Sequence, residues 1–307
     1  MPPVIYRRPF LMSIPTSLAF LGAYRVEARA DPLSEIEARH GGRLGVFAID
    51  TDTGRTLTHR ADERFTMCST FKGLLAGQIM SRVDAGHESL ARLVHFNAHD
   101  LSTAGYPDFL CPVTAAHVSQ GALTVATLCQ ASVAVSDNLA AILLMQSVGG
   151  PPGFNRFLRS LGDGITRSDR YEPGSNSYDG LLDTTTPRAI IGSARKLLLG
   201  DVLKPSSREL LTSWMIDSTP GLRRLRASFP PNWVTGDKAG TYGPDETNDY
   251  AITWPPGRRP VLIAAYYNAP GMDLDLREAV LREVGTVVAA LVGESSVTPP
   301  ASLYSRT

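Results

Sequence analysis

Ser69 and Lys72 stand three positions apart at the head of an apolar stretch running from Met67 to Ala76. In a helix beginning near Ser69, a residue three positions on lies on the same face, so the Lys72 amine reaches the Ser69 hydroxyl. A serine hydroxyl is a weak nucleophile at neutral pH, and a partly buried amine tuned toward neutrality takes its proton. The pattern alone does not separate an activated serine from an ordinary helix start, and Ser193 with Lys196 fits it equally. Three further groups follow: Ser136-Asp137-Asn138, then Arg170-Tyr171-Glu172-Pro173-Gly174-Ser175-Asn176, then Asp237-Lys238-Ala239-Gly240-Thr241. Glu172 is a carboxylate on a loop, the kind of base that activates water against an ester. Ser136-Asp137-Asn138 alone also fits an N-cap for a helix over 139–147. Of 30 basic residues only four are lysine, and two of those, Lys72 and Lys238, fall in the motifs. A guanidinium cannot surrender a proton near neutrality and an amine can, which explains the preference best at Lys72.

Composition bounds what these residues serve. At 307 residues, 43% hydrophobic and 20% charged, the chain can bury a sizeable core. Its formal net charge is zero and it has no long basic run, so nothing recruits nucleic acid; a small molecule is the expected partner. Residues 1–30 are predicted to be an export signal. Arg7-Arg8-Pro9-Phe10-Leu11 precedes an apolar run too short to anchor in a bilayer, and Ala28 and Ala30 fit a cleavage site before Asp31. The paired arginines resemble a twin-arginine signal, with a Sec-type signal as the alternative. Either predicts a periplasmic or secreted protein with no stable membrane anchor. Cleavage would leave 26 basic against 29 acidic residues. The three cysteines, Cys68, Cys111 and Cys129, cannot all pair within one chain. His95 and His99 lack the glutamate and third ligand of a zinc site, so neither metal nor cofactor is expected.

The elements that must position the motifs follow from periodicity. A helix over 32–40 with Leu33, Ile36 and Ala38 inward precedes a hairpin of 44–49 and 55–58 around the turn at 50–54. Helices are predicted at 71–85, 125–135, 139–147, 151–161, 186–199 and 207–216, with 119–121 and 171–179 as loops. Three strands, 233–239, 250–254 and 260–267, and an amphipathic helix over 274–291 close the chain. The strands at the two chain ends would form one antiparallel sheet of about five strands with helices on it. The organisation predicted is an α+β fold: a discontinuous α/β lobe (31–66 and 218–294), an all-α lobe inserted at 67–217, and a mobile tail at 295–307.

In this order and these contexts, Ser69–Lys72, Ser136–Asn138, Glu172–Asn176 and Lys238–Thr241 resemble the class A serine β-lactamases, within the penicillin-recognising serine enzymes. The resemblance covers about residues 31–294 and extends to Thr184-Thr185-Thr186-Pro187 and Thr247-Asn248-Asp249-Tyr250-Ala251-Ile252. It implies a β-lactamase/transpeptidase-like fold and a monomeric hydrolase acting on a β-lactam. Ser69 would become acylated, its proton passing to Lys72 or to Glu172 through a water. Glu172 would activate the deacylating water, with Asn176 sharing it. Ser136 would pass a proton to the departing nitrogen, Asn138 would hold the substrate side-chain amide, and Lys238 would lie near the substrate carboxylate. The backbone N–H groups of Ser69 and Thr241 would form the oxyanion hole, where losing a donor costs about 3–4 kcal/mol. Thr241 and Arg224 would bind substrate, and Arg170 with Asp183 would close the loop structurally.

Four points stand out. Ala239 replaces the usual Thr or Ser, removing a carboxylate-binding hydroxyl worth about 0.5–1.5 kcal/mol, for which Thr241 could substitute. Arg224 fits either a carboxylate-binding arginine or a solvated basic turn, and Arg277 aligns poorly with the family's other arginine position. Extra residues lie between Asp100 and Pro112, at the gate of the cleft, with Tyr106 and Phe109 as its aromatics. Cys68 precedes the nucleophile as in carbapenem-hydrolysing members, but Tyr242 stands where its disulfide partner would be. The alternatives to a hydrolase are a penicillin-binding D,D-peptidase and a sensor that stays acylated; Glu172 and Asn176 favour the hydrolase.

Overall fold

The structure is a computed structural model that describes Met1, residues 31–243 and residues 245–294. Residues 2–30 of the predicted export signal, Pro244 and the predicted tail at 295–307 lie outside the described residues. Helix α1 (Pro32–His40) starts where Asp31 accepts from Leu33 N and Pro32 needs no hydrogen-bond acceptor. It turns Leu33 and Ile36 to the core, but Ala38 is exposed. The expectation of Ala38 inward fails because a two-residue step is about 200° of helix, which carries position 38 away from Ile36.

Strands β1 (Arg43–Asp50) and β2 (Thr56–His59) form the predicted hairpin. The chain then passes through β3 (Phe65–Thr66) and a 3-10 turn at Cys68–Thr70 into α2 (Phe71–Asp84). Ten consecutive residues of α2, Phe71 to Met80, are buried, so this helix is covered on every side and lies within the core. Gly73 lets it approach the sheet: a Cβ there would stand 2.0 Å from the Tyr250 hydroxyl.

After α2 come β4 (Leu93–His95), α3 (Ala98–Thr103), α4 (Pro112–Ala116) and β5 (Ala122–Thr124). Then α5 (Val125–Ala134), α6 (Asn138–Ser147) and α7 (Gly150–Ser160) lead through a long loop to β6 (Thr184–Thr185), α8 (Pro187–Leu198) and α9 (Pro205–Ile216). Threonines 124 and 186 and Asp137 cap α5, α8 and α6 through their side-chain oxygens. The helical stretch therefore also contains a two-stranded ribbon, β4 with β5, and its end is stitched to its beginning by β3 with β6. His95 falls in β4 and His99 in α3, so the two do not share a helical face.

Strands β7 (Val234–Tyr242), β8 (Glu246–Trp254) and β9 (Val261–Asn268) complete a five-stranded antiparallel sheet of order β2-β1-β9-β8-β7, and α10 (Leu274–Glu294) closes the described chain. Along β9, Val261, Ile263, Ala265 and Tyr267 face α1 and α10, whereas Leu262, Ala264 and Tyr266 join the core of α2, α5, α6, α8 and α9. With both faces buried, the strand reads as a continuous apolar run. Strand β7 is at the sheet edge, so backbone groups on its outer side are free to meet a ligand.

Candidate active site

The 3-10 turn presents Ser69 to a cleft while Met67, Cys68, Thr70 and Phe71 around it are buried. Cys68 has φ +47° and Ser136 has φ +59°, conformations that cost an L-residue about 1–2 kcal/mol. Both flank or form the cleft, where strained backbone aims side chains. The cleft is about 390 Å³, and Ser69, Ser136, Asn138, Asn176, Ala239 and Thr241 all line it.

Glu172 lies over Ser69. The Ser69 hydroxyl donates to Glu172 Oε1 at 3.3 Å, and Lys72 Nζ is 3.2 Å from Glu172 Oε2. Both charged side chains are almost completely buried, at 0% and 1% exposure. Lys72 Nζ also donates to the Ser136 carbonyl at 3.0 Å, to Ser136 Oγ at 3.4 Å and closely to Asn138 Oδ1. Among the described residues no hydrogen bond joins Ser69 to Lys72: the contact expected from their spacing is replaced by one to Glu172, because the amine is drawn toward acceptors on the loop before α6. Lys238 Nζ donates to Ser136 Oγ at 3.0 Å and to the Ala239 carbonyl at 2.7 Å. Burial, then the neighbouring Lys72, lowers the pKa of Lys238 to about 7. Ser136 Oγ thus lies between two amines.

Within Ser136-Asp137-Asn138 the middle residue is structural. Asp137 is fully buried; it accepts from Ala140 N at the start of α6 and from Val113 N and Thr114 N of α4, each at 2.9 Å. That frees Ser136 and Asn138 to face the cleft.

The loop bearing Glu172 is tied at its neck by Arg170 and Asp183. Asp183 Oδ1 accepts from Asp169 N at 2.7 Å and Arg170 N at 3.0 Å, and its Oδ2 accepts from Arg170 Nε at 2.6 Å. The Asp183 carbonyl accepts from Met67 N at 3.0 Å, which anchors the neck two residues before Ser69. From outside, Tyr106 Oη accepts from Asn176 Nδ2 at 2.8 Å, and Tyr242 Oη lies 3.1 Å from Ser177 Oγ. Sequence reasoning identified Tyr106 only as a gate aromatic and Tyr242 only as a missing cysteine; their hydroxyls were the remaining signal. Tyr106 and Phe109 both line the cleft.

On the opposite wall, Gly240 leaves no room for a side chain beside the Ser69 backbone: a Cβ there would stand 3.0 Å from Met67 O and 3.1 Å from Ser69 N. Arg224 is not a solvated basic turn: it is 3% exposed and lies behind the cleft residue Thr241. Its guanidinium donates to Gly240 O at 2.9 Å, Asn248 O at 2.8 Å and Thr241 Oγ1 at 2.5 Å, with Glu278 at 3.3 Å. Strand carbonyls and an acid compensate its burial, and its contact with a cleft residue among the described ones is with Thr241. Arg277 is also buried, donating to Gly243 O at 2.9 Å. Cys68, Cys111 and Cys129 are free and buried. The second Ser-x-x-Lys leads nowhere: Ser193 donates to Asp163 at 2.9 Å inside α8, and Lys196 donates to the Leu161 carbonyl.

Residues 28–292 match the family model described as the β-lactamase enzyme family. The chain is 41% identical over 269 residues to β-lactamase AST-1 of Nocardia asteroides, covering 87% of this chain and 84% of that one. Among solved structures, a β-lactamase from Burkholderia vietnamiensis is 56% identical, with a TM-score of 0.84 over 89% of this chain and all of that one. An ancestral class A β-lactamase is 47% identical, with a TM-score of 0.80 over 84% of this chain and 98% of that one. The chain belongs to the β-lactamase enzyme family, as a class A serine enzyme.

Proposed function

We propose that this enzyme hydrolyses β-lactam antibiotics through an acyl-enzyme on Ser69, and so confers resistance to them. The observation that carries this reading is the Ser69 hydroxyl donating to Glu172 at 3.3 Å, which puts a buried carboxylate within reach of the nucleophile and of any ester formed on it. Ser69 Oγ attacks the lactam carbonyl as its proton leaves toward Glu172; Lys72, which donates to the Ser136 carbonyl and to Asn138 Oδ1, supplies the local positive charge. The oxyanion is held by the backbone N–H groups of Ser69 and Thr241, which the close approach of Gly240 brings to one cleft. The C–N bond breaks, Ser136, between Lys72 and Lys238, gives its proton to the leaving nitrogen, and the proton that Glu172 took from Ser69 passes through Lys72 to Ser136, which leaves Glu172 a carboxylate again. Glu172 then takes a proton from water shared with Asn176; the hydroxide cleaves the ester, and Ser69 regains a proton.

Lys238 and Thr241 receive the substrate carboxylate. Arg224 orients the Thr241 hydroxyl from behind, which supports Thr241 as the substitute for the hydroxyl missing at Ala239. Asn138 holds the substrate side-chain amide, and Arg170 with Asp183 keeps the Glu172 loop closed. The cleft lies between the sheet-bearing lobe (31–66 and 218–294) and the helical lobe (67–217). Export through residues 1–30, by a twin-arginine route to the periplasm or beyond, rests on Arg7, Arg8 and the apolar run after them. No helix among the described residues is long and apolar enough to cross a membrane. Continuous hydrolysis of benzylpenicillin, abolished in Ser69→Ala, tests the reading; a lasting adduct on Ser69 without turnover would make the protein a sensor instead.

A further inference from the structure

We propose that Tyr106, in the extra segment between α3 and α4, is a positioning residue for deacylation that acts by fixing the side-chain amide of Asn176. The inference rests on the hydrolase reading above. Asn176 is 5% exposed, and its two amide ends are in different situations. Nδ2 donates to Tyr106 Oη at 2.8 Å, whereas Oδ1 is buried with no hydrogen-bond partner among the described residues. A buried acceptor without a donor is costly, and a water in the cleft would supply that donor.

The orientation of this amide matters to the chemistry. A water attacking the acyl ester must keep a lone pair for the carbonyl carbon, so its protons go to acceptors, one on Glu172 and one on Asn176 Oδ1. Turning the amide over exchanges Oδ1 for an N–H donor of nearly the same shape. That donor would take up the lone pair needed for attack. Tyr106 holds the far end of the amide by the hydrogen bond from Nδ2 and so fixes its plane and its place beside the water. Because a hydroxyl both donates and accepts, it is the two protons of the water, on Glu172 and Oδ1, that select the orientation. The Tyr106 phenol stays a neutral hydroxyl, because burial, with the Glu172 carboxylate nearby, raises its pKa.

The segment bears on the loop at a second point. A Cβ on Gly105 would stand 3.6 Å from Pro173 Cγ, next to Glu172. The extra residues therefore meet the catalytic loop at Gly105 and again at Tyr106, and only the second contact is a directed hydrogen bond to a side chain in the cleft.

Tyr106→Phe keeps the ring as a cleft wall and removes only the hydroxyl. Rapid mixing with benzylpenicillin, quenching and intact-protein mass measurement separate acylation from deacylation. Deacylation is expected to slow about 5- to 10-fold, the effect of one lost hydrogen bond. Acylation should stay within about twofold, and the added effect should vanish in an Asn176→Ala background. Three results would overturn the inference: unchanged deacylation in Tyr106→Phe; equal slowing of both steps, with or without a lower melting temperature; or a full additional effect in the Asn176→Ala background. Absence of turnover in the unsubstituted enzyme would remove the hydrolase reading itself, a result distinct from these three.

Discussion

Replacing Asp183 by alanine should open the Glu172 loop while leaving the rest of the fold intact. The Asp183 carboxylate is 1% exposed and accepts from Asp169 N, Arg170 N and Arg170 Nε. Removing one partner of a buried pair costs about 3–5 kcal/mol. Arg170 is 29% exposed and keeps the Ser177 carbonyl at 2.8 Å and solvent, so the lower end, about 3 kcal/mol, applies. At about 1.4 kcal/mol per factor of ten, the ratio of open to closed loop rises about 100-fold or more. Residue 183 also has φ +54°, which alanine tolerates less well than aspartate, adding to the cost. Met67 N still finds the backbone carbonyl of residue 183, so the strand pairing of β3 with β6 should persist. Hydrogen exchange on peptides spanning 168–184 should show protection lost by about 100-fold, with α2 unchanged and deacylation slowed because Glu172 is displaced. Equal loss of protection in α2, or an unaltered loop, would show that Asp183 does not hold the Glu172 loop closed.

Lys238 gives the activity an alkaline limb. With its pKa lowered to about 7, it is a cation below that pH and neutral above it, so kcat/KM for a substrate with a free carboxylate should fall as pH rises through about 7. A β-lactam whose carboxylate is esterified should lack that limb. Gly240→Ala would press a Cβ against Met67 O and Ser69 N, backbone on both sides, and force β7 outward. Acylation should fall about 100-fold as the Thr241 donor leaves the oxyanion position, measured as kcat/KM alongside a melting temperature.

The sheet and long helices were legible because their periods are long enough to register. Strand β9 and helix α8, for example, start and end within about two residues of expectation. The ribbons β3–β6 and β4–β5 were not, since two or three residues carry no period and their pairing is set by what folds around them. The cleft residues could be found because Ser-x-x-Lys, Ser-Asp-Asn and the loop carboxylate are fixed by chemistry. Their partners could not be read in the same way. Spacing placed Lys72 beside Ser69, but three-dimensional neighbours on α6 and the loop decide where its amine points. Arg224 resembled a solvated turn residue because the sequence around it, Leu222-Arg223-Arg224-Leu225-Arg226, is basic; only the path of β7 and β8 buries that one guanidinium against strand carbonyls. The hydroxyls of Tyr106 and Tyr242 reach the loop across 70 and 65 positions of chain, with no local pattern to mark them.

In the proposed cycle, Glu172 separates turnover from arrest at the acyl-enzyme. Glu172→Gln keeps the shape of the side chain and its acceptor toward Ser69 but loses the base. Intact-protein mass measurement during reaction with benzylpenicillin should show this variant accumulating one acyl adduct, mapped to Ser69, while the unsubstituted enzyme shows little adduct and complete hydrolysis. A variant that turns over at the unsubstituted rate, with no adduct, would contradict the account.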